Sequence, residues 1–356
     1  MKKTHKILPL LTLLLTLLLL LVPGQTWARE KQELIKKISK VYATKSDPKI
    51  LTENLYGNTT VVLWDENKIA VEVVIKVKAK TVELTQKVLD NIDIDIQGNS
   101  QKVSAITKVK MVNNWMGNNI NANYEINYTV KIPKMASVDL SQKYGNIYVD
   151  ALWGSSKITC KYGNLLAGDL NHKDNDVVLT YSSKSAFRNV DQMQLNSSYS
   201  TAVIAKINHL KQTGNYNSFK IANAGTVDLT TNYSDLTQDV VQRLKISGNY
   251  LTLNVGKIGK FAGFLSNYSN IIVSLGEQCT GLDIVGNYTN TVVSFTSTKG
   301  YRFDIKTNYG SLDSKSKMLD YKVTTQSQSK TYSGYVNQKD EDKINISGSY
   351  SNIHFK

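Results

Sequence analysis

The side chains that could perform acid–base, nucleophilic or metal chemistry are few and scattered along this chain. His172, His209 and His354 stand far apart, without the His-x-His or His-Glu-x-x-His spacing that brings two imidazoles to one metal ion. Two cysteines, Cys160 and Cys279, are too few for a cysteine zinc site or a disulfide scaffold, and we predict two free thiols. No Gly-x-Ser-x-Gly motif or phosphate-binding glycine loop is present. The sequence therefore predicts no catalytic residues, no metal and no cofactor.

Carboxylates recur at one repeat position, five residues before a recurring tyrosine, but they alternate there with lysines. The residues at this position include Asp139, Lys157, Asp176, Lys211, Asp228, Lys245, Asp283 and Asp304. A glycan-cleaving site would need clustered carboxylates, whereas opposite charges on adjacent strands support register. We interpret this column as a solvated structural face. A β-helical polysaccharide-processing enzyme is the alternative to a binding protein.

The tyrosines form the most regular pattern in the sequence, at intervals of 17 to 23 residues. They are Tyr144, Tyr162, Tyr181, Tyr199, Tyr216, Tyr233, Tyr250, Tyr268, Tyr288, Tyr309, Tyr332 and Tyr350. Counted from each tyrosine, positions −6, −4, +3 and +5 are mostly apolar, and Leu229, Ile246 and Ile284 occupy position −4. Alternation with a period of two predicts strands with one buried face. Units this short fit an all-β solenoid of about 12 coils, roughly 55 Å long at about 4.8 Å per coil.

The same alternation predicts that the tyrosine rings point inward, because they share the parity of positions −2, −4 and −6. Small residues at −2, such as Gly214 and Gly248, would then make room for the rings. The alternative is an exposed aromatic stripe on which carbohydrate stacks. The candidate binding residues of that stripe are Tyr216, Tyr233, Tyr250, Tyr268, Tyr288 and Tyr309.

Asparagine precedes the tyrosine in six successive units, at Asn215, Asn232, Asn249, Asn267, Asn287 and Asn308. Asparagine tolerates the left-handed backbone conformation of turns. Stacked asparagines can also form a hydrogen-bonded ladder along the axis of a stack of strands. We predict a structural ladder, and the alternative is a polar stripe that binds sugars.

Residues 29–134 depart from the repeat and are predicted to cap a solenoid formed by residues 135–356. Residues 29–43 place Leu34, Ile38 and Val41 on one helical face, and Thr81 is the predicted N-cap of a helix over 81–92. Strands are expected within 61–80, 92–97, 103–112 and 124–132, and residues 54–58 (NLYGN) echo the repeat as an outlying first coil. Loops are expected at 113–123 and at 313–330, the latter mobile.

Residues 1–28 have the pattern of a secretory signal peptide. Lysines precede a leucine-rich run at 7–22, and cleavage is expected after Ala28. The mature chain would be exported to the periplasm, the outer-membrane surface or the exterior. Loss of three lysines leaves 40 of 43 basic residues against 29 acidic ones, which lowers the net charge from +14 to +11.

Several segments together resemble a known family. They are NLYGN (54–58) followed by Trp64 and Asp65, YEINYTVKIPK (124–134), KYGNIYV (143–149) and KYGNLLA (161–167). The chain resembles the bacterial putative-adhesin family of β-helical envelope proteins, relatives of the auto-transporter adhesin head domain. This resemblance implies a right-handed single-stranded β-helix and an exported protein.

These features favour a non-enzymatic envelope protein, an adhesin or scaffold, that binds extended polymers or partner proteins through its solenoid surface. The positive charge favours acidic polysaccharide or envelope glycan, and membrane surfaces by charge alone. Other envelope proteins are also candidate partners. Basic residues are spread along the whole chain, so we expect no specific nucleic-acid site.

Overall fold

The computed structural model describes residues 31–110, 122–314 and 319–356. The predicted signal peptide and most of the predicted loop at 113–123 lie outside the described residues. The predicted all-β class is confirmed, because the strands join one large open sheet and cover most of the chain. The strands are β1 Gln32–Ala43, β2 Lys49–Leu55, β3 Thr59–Trp64, β4 Lys68–Ala79, β5 Ile92–Gly98, β6 Lys102–Val109, β7 Asn123–Pro133, β8 Ser137–Lys143, β9 Ile147–Leu152, β10 Ser156–Lys161, β11 Leu165–Leu170, β12 Asn175–Thr180, β13 Ser185–Ser198, β14 Ser200–Thr213, β15 Asn217–Thr230, β16 Ser234–Asn249, β17 Leu251–Asn267, β18 Asn270–Leu275, β19 Gly281–Val285, β20 Asn290–Phe295, β21 Tyr301–Asn308, β22 Ser311–Ser314, β23 Leu319–Gln326, β24 Ser329–Val336, β25 Lys343–Ser349 and β26 Asn352–Phe355.

Successive repeat units pair in parallel, with equivalent positions opposite one another. Leu229 of β15 lies opposite Ile246 of β16, which lies opposite Phe264 of β17. Leu229, Ile246 and Ile284 are 3%, 2% and 1% exposed, so the predicted inward register of position −4 is confirmed. Stacking identical positions places apolar side chains in continuous columns, which buries one face of every strand.

The chain begins with a strand where the sequence predicted a helix at 29–43, and that prediction is wrong. β1 pairs antiparallel with β4 along its whole length, and Leu34, Ile38 and Tyr42 pack against the core. Leu34 and Ile38 are four residues apart, a spacing that fits one face of a helix and also one face of a strand, because four is a multiple of two. Val41, which the helix prediction placed on the same face, lies on the other face of β1 and is 57% exposed. Pairing with β4 therefore decides that this segment forms a strand.

The second predicted helix is confirmed as α1 (Val82–Asp90), and its N-cap Thr81 accepts a hydrogen bond from the Leu84 N–H.

The outlying NLYGN segment joins the repeat through β2 and β3, which pair in parallel with β8 and β9. A buried polar network holds this junction together. The Asn54 side-chain nitrogen donates to Gln142 Oε1 at 3.1 Å, and Thr59 Oγ1 donates to the same oxygen at 2.8 Å. Thr107 Oγ1 of β6 donates to Asn54 Oδ1 at 3.1 Å. Because buried polar groups need partners, this network fixes the pairing of the N-terminal strands with the first repeat unit.

The C-terminal units are not stacked in chain order. β25 lies between β19 and β21, and β26 lies between β20 and β22. The last segment of the chain therefore inserts between two earlier units. The predicted loop at 313–330 is largely a hairpin, because β23 pairs antiparallel with β24. Tyr332 is buried in β24 opposite Ile305, so its assignment to the repeat column is wrong.

Candidate functional site

The recurring tyrosines adopt the left-handed backbone conformation. In the described residues, twelve of the fourteen non-glycine positions with positive φ are tyrosines, at Tyr56, Tyr144, Tyr162, Tyr181, Tyr199, Tyr216, Tyr233, Tyr250, Tyr268, Tyr288, Tyr309 and Tyr350. We call these twelve residues the tyrosine stack. Their φ angles lie between 52° and 60°. A left-handed residue between two strands interrupts the alternation of faces. The alternation along the preceding strand therefore does not predict which way the tyrosine ring points.

The rings of the tyrosine stack point outward, and the prediction that they are buried is wrong. Each side chain is between 39% and 57% exposed. Neighbouring rings are nearly parallel, with centroids 4.7–5.1 Å apart and interplanar angles of 2–15°. Tyr350 lies between Tyr288 and Tyr309, as the inserted C-terminal segment requires. All six candidate tyrosines are therefore brought together on one exposed row, with six further members.

The stack presents ring edges and hydroxyl groups rather than ring faces. Each inner ring has a parallel neighbour on both sides, at 4.7 Å and 5.0 Å for Tyr250. At one end, Tyr124 packs edge-on against Tyr56 at 5.0 Å, and burial raises the pKa of the Tyr124 hydroxyl to about 12. A sugar cannot lie flat on a ring whose faces already contact other rings. The row can instead offer hydroxyl donors and acceptors at a repeat close to the strand spacing.

The small residues at position −2 allow the backbones of adjacent units to approach closely, and they do not make room for the tyrosine rings. Gly248 has a φ of 154°, and a Cβ atom there would collide with the carbonyl oxygen of Thr231 in the preceding unit. Gly214 is likewise too close to the Ser197 carbonyl oxygen to carry a side chain. Close approach of adjacent units at the corner is therefore what selects glycine.

The predicted asparagine ladder is confirmed beside the stack from Asn215 to Asn287, whereas Asn308 donates to Ser349 Oγ because the inserted C-terminal segment separates it from Asn287. Asn249 donates to Asn232 Oδ1 from its backbone nitrogen at 2.9 Å and from Nδ2 at 3.3 Å. Asn267 donates to Asn249 Oδ1 in the same way, at 3.2 and 2.8 Å. The ladder uses one of the two hydrogens on each Nδ2. The second hydrogen can therefore bond an acceptor outside the chain.

A second ladder, which the sequence analysis missed, lies on the other side of the tyrosines in the N-terminal units. Asn58 Oδ1 accepts from the Asn146 backbone nitrogen at 3.0 Å, and Asn146 Oδ1 accepts from that of Asn164 at 2.9 Å. The recurring Tyr-Gly-Asn tripeptide was its signal. Lys143 also places its ammonium group 4.9 Å from the centroid of the Tyr144 ring.

Residues with conventional catalytic chemistry are not brought together. His172 Nδ1 accepts from the Asp174 backbone nitrogen, His354 Nδ1 lies 3.2 Å from Asp313 Oδ2, and His209 is exposed elsewhere. Across residues 31–110, 122–314 and 319–356, no three His, Cys, Asp or Glu side chains form a group that could hold a metal ion. In the same ranges, no helix is long and apolar enough to cross a membrane.

Both cysteines are free, as predicted, and both are buried. Burial raises the pKa of the Cys160 thiol to about 12, and it also raises the pKa of Cys279.

The charged column at position −5 is in register, with Lys157 opposite both Asp139 and Asp176. Asp139 also forms an ion pair with Lys49 at 3.0 Å. Acids and bases therefore alternate on this face.

No family model matches the chain, and no curated protein matches it. Among solved structures, the chain is similar to a putative adhesin from Parabacteroides merdae, with 10% identity, a TM-score of 0.36, and coverage of 91% of this chain and 96% of that one. A putative adhesin from Parabacteroides distasonis gives 10% identity and a TM-score of 0.35, with 92% and 98% covered. A putative lipid binding protein from Parabacteroides distasonis gives 8% identity and a TM-score of 0.32, with 91% and 97% covered. At TM-scores this low, the functional interpretation rests on the residues of this chain.

Proposed function

We propose that this chain is an exported, non-enzymatic envelope protein, an adhesin or scaffold, that binds extended polysaccharide along the tyrosine stack. In this proposal residues 1–28 direct export, residues 29–134 form a cap, and residues 135–356 coil as a right-handed β-helix. The stack runs along the direction in which the units repeat. A long polymer lying parallel to it would meet the same set of groups at every unit.

The observation that carries this proposal is the choice of tyrosine at a left-handed position. Outside glycine and asparagine, that conformation costs roughly 1–2 kcal/mol per residue. Stacking contributes about 0.5–1.5 kcal/mol per ring pair, which offsets part of the cost. Asparagine would satisfy the same backbone without the penalty and without exposing an aromatic ring. Twelve exposed tyrosines in a strained backbone conformation therefore indicate a function for the outer surface of the tyrosine stack, because backbone strain is retained where function needs it.

The chemistry of the row suits a polyhydroxylated chain. Phenol hydroxyls can both donate and accept, and the asparagine ladder adds amide donors beside them. Single contacts of this kind are weak in water, so affinity must come from many units acting together. Binding should therefore strengthen with polymer length until the polymer spans the stack.

Net charge adds a long-range contribution. The mature chain would carry +11, which attracts acidic polysaccharides and envelope glycans from solution. This attraction weakens as salt rises past about 0.15 M, where the Debye length is about 8 Å. Hydrogen bonds to the tyrosine stack are less sensitive to salt, so the salt dependence separates the two contributions.

The test compares binding of polygalacturonate fragments of increasing length by wild-type protein and by a triple variant, Tyr216→Phe, Tyr233→Phe and Tyr250→Phe. The substitutions keep the stacked rings and remove three adjacent hydroxyls. We expect affinity to rise with length in the wild type and to fall by about tenfold in the triple variant. Tyr321→Phe is the matched control, because Tyr321 is also exposed but lies outside the stack.

Equal binding by the triple variant and the wild type would contradict a role for the stack. Cleavage of the fragments in the presence of calcium, detected as unsaturated-sugar absorbance, would instead support a polysaccharide-processing enzyme.

A further inference from the structure

A groove on the outer face of β15, β16, β17 and β19 has the composition of a ligand site. It is lined by Asp228, Lys245, Phe261, Gly263, Leu265 and Asp283, together with neighbouring backbone and hydroxyl groups. Its volume is about 440 Å³, which is within the range of small-molecule sites. We call it the Phe261 groove.

A glycine in the charged column creates this depression. Gly263 lies opposite Lys245 on one side and Asp283 on the other, at the position where other units carry charged or amide side chains. Its missing side chain leaves an opening between Phe261 and Leu265, which stand on the same face two residues away on either side. Leu265 is 58% exposed and forms one wall.

Phe261 occupies a column that faces outward in the neighbouring units as well, because it lies opposite Arg243, which lies opposite Thr226. An irregularity precedes it in β17. Val241 pairs with Ile258 but Arg243 pairs with Phe261, so β17 carries one extra residue there. The ring borders the positions that side chains at Gly263 and Gly281 would occupy, with ring carbons 3.4 and 3.3 Å from the two Cβ positions. Unlike the rings of the tyrosine stack, it has no aromatic ring stacked on it among the described residues.

We propose that the Phe261 groove binds one neutral pyranose residue of a polysaccharide. An aromatic ring bounded by carboxylates, an ammonium group and the Thr230 and Ser247 hydroxyls offers an apolar surface for the C–H face of a sugar and partners for its hydroxyls. Asp228 and Asp283 at the groove are balanced by Lys245 and by Arg243, which lies opposite Phe261. The groove therefore adds no net charge that would attract an acidic sugar, and its apolar ring suits a neutral one.

The inference rests on the proposed polysaccharide binding, but it concerns a different face from the tyrosine stack. The two proposals can fail separately. Binding along the tyrosine stack should strengthen with polymer length, whereas binding in the Phe261 groove needs only a single neutral sugar residue.

The experiment measures binding of cellohexaose, maltohexaose and hexagalacturonate by calorimetry at about 0.5 M salt, where long-range charge attraction is screened. The test variant is Gly263→Gln. Glutamine already occupies the equivalent column position at Gln194, and a Cβ at Gly263 meets only the Phe261 ring, at ordinary contact distance. This substitution fills the groove without straining the backbone. Asn254→Gln, on the other exposed face of β17, is the matched control.

We expect a neutral hexaose to bind the wild type and the Asn254→Gln variant equally. We expect Gly263→Gln and Phe261→Ala to weaken that binding by at least about tenfold, with the triple tyrosine variant unaffected. Unchanged binding in Gly263→Gln, no binding of either neutral hexaose, or a preference for hexagalacturonate at high salt would each overturn the proposal. None of these results would contradict length-dependent polymer binding along the tyrosine stack.

Discussion

At Tyr250 the backbone and the side chain make opposite demands. Its φ of 58° favours glycine or asparagine, while its ring stacks on Tyr233 and Tyr268. The side chain is 47% exposed, so burial contributes only part of its stability. Substitutions at Tyr250 should therefore change the free energy of unfolding in a different order from the same substitutions at an ordinary strand position.

We expect both Tyr250→Ala and Tyr250→Gly to destabilise the fold, by about 1–3 kcal/mol for two lost ring pairs. Glycine should be the better replacement by about 1 kcal/mol, because alanine is strained at positive φ. Urea unfolding measures both values. At Thr252, an exposed position within β17, the order should reverse and alanine should be the more stable. Alanine matching or exceeding glycine at residue 250 would contradict the left-handed assignment.

The two buried thiols give a pH prediction. The pKa of Cys160 is about 12 in the folded chain, well above the value of about 8.5 for an exposed thiol. Between these values the folded chain keeps a proton that the unfolded chain has lost, so stability falls as pH rises. Cys160→Ala should show a shallower decline of the urea midpoint above about pH 9.

Neither thiol should react with an aromatic disulfide reagent in the native protein at about pH 8, and both should react in urea. Rapid labelling of the native protein would show that the burial of these residues is wrong.

Among the elements, the inserted C-terminal segment has the largest structural consequence. β25 and β26 supply pairing partners to the units on both sides, and Tyr350 completes the stack between Tyr288 and Tyr309. Without this segment, β21 and β22 lose their parallel partners. The segment therefore acts as a closing element for the end of the sheet.

Removing residues 343–356 should expose the amides of β22 to rapid hydrogen exchange, because β22 loses its partner β26, while those of β15 and β16 stay protected. Deleting the hairpin residues 319–336 should leave β22 protected, because β26 still pairs with it. Uniform loss of protection along the whole chain after the terminal truncation would contradict this local role.

For the whole molecule, stability comes from neighbouring units that bury each other's apolar columns. Ile246 lies in the middle of the repeats, between Leu229 and Phe264, and is 2% exposed. Each unit contacts chiefly the units beside it, so damage should spread by neighbour contacts.

Ile246→Ala should cost about 2–5 kcal/mol in urea unfolding and should reduce amide protection most in β15, β16 and β17. Asn254→Gln, on the exposed face, should leave unfolding within about 0.5 kcal/mol of wild type. A small effect of Ile246→Ala would mean that position −4 does not face the core.

The sequence by itself determined the features that depend on local periodicity. Alternation located the strands and the buried positions Leu229, Ile246 and Ile284, and equal spacing placed identical residues opposite one another, which produced the asparagine ladder. The free thiols and α1 also followed from local patterns.

Only the tertiary structure decided which way the tyrosines point, how residues 32–43 fold and where the last segment lies. Predicting the face of a side chain from alternation assumes an unbroken extended backbone. One left-handed residue at each corner breaks that backbone, so the prediction fails for the tyrosines. A four-residue spacing in β1 fits helix and strand equally, so only pairing with β4 distinguishes them. The insertion of β25 between β19 and β21 joins residues more than 30 positions apart, and no local pattern encodes such a long-range choice.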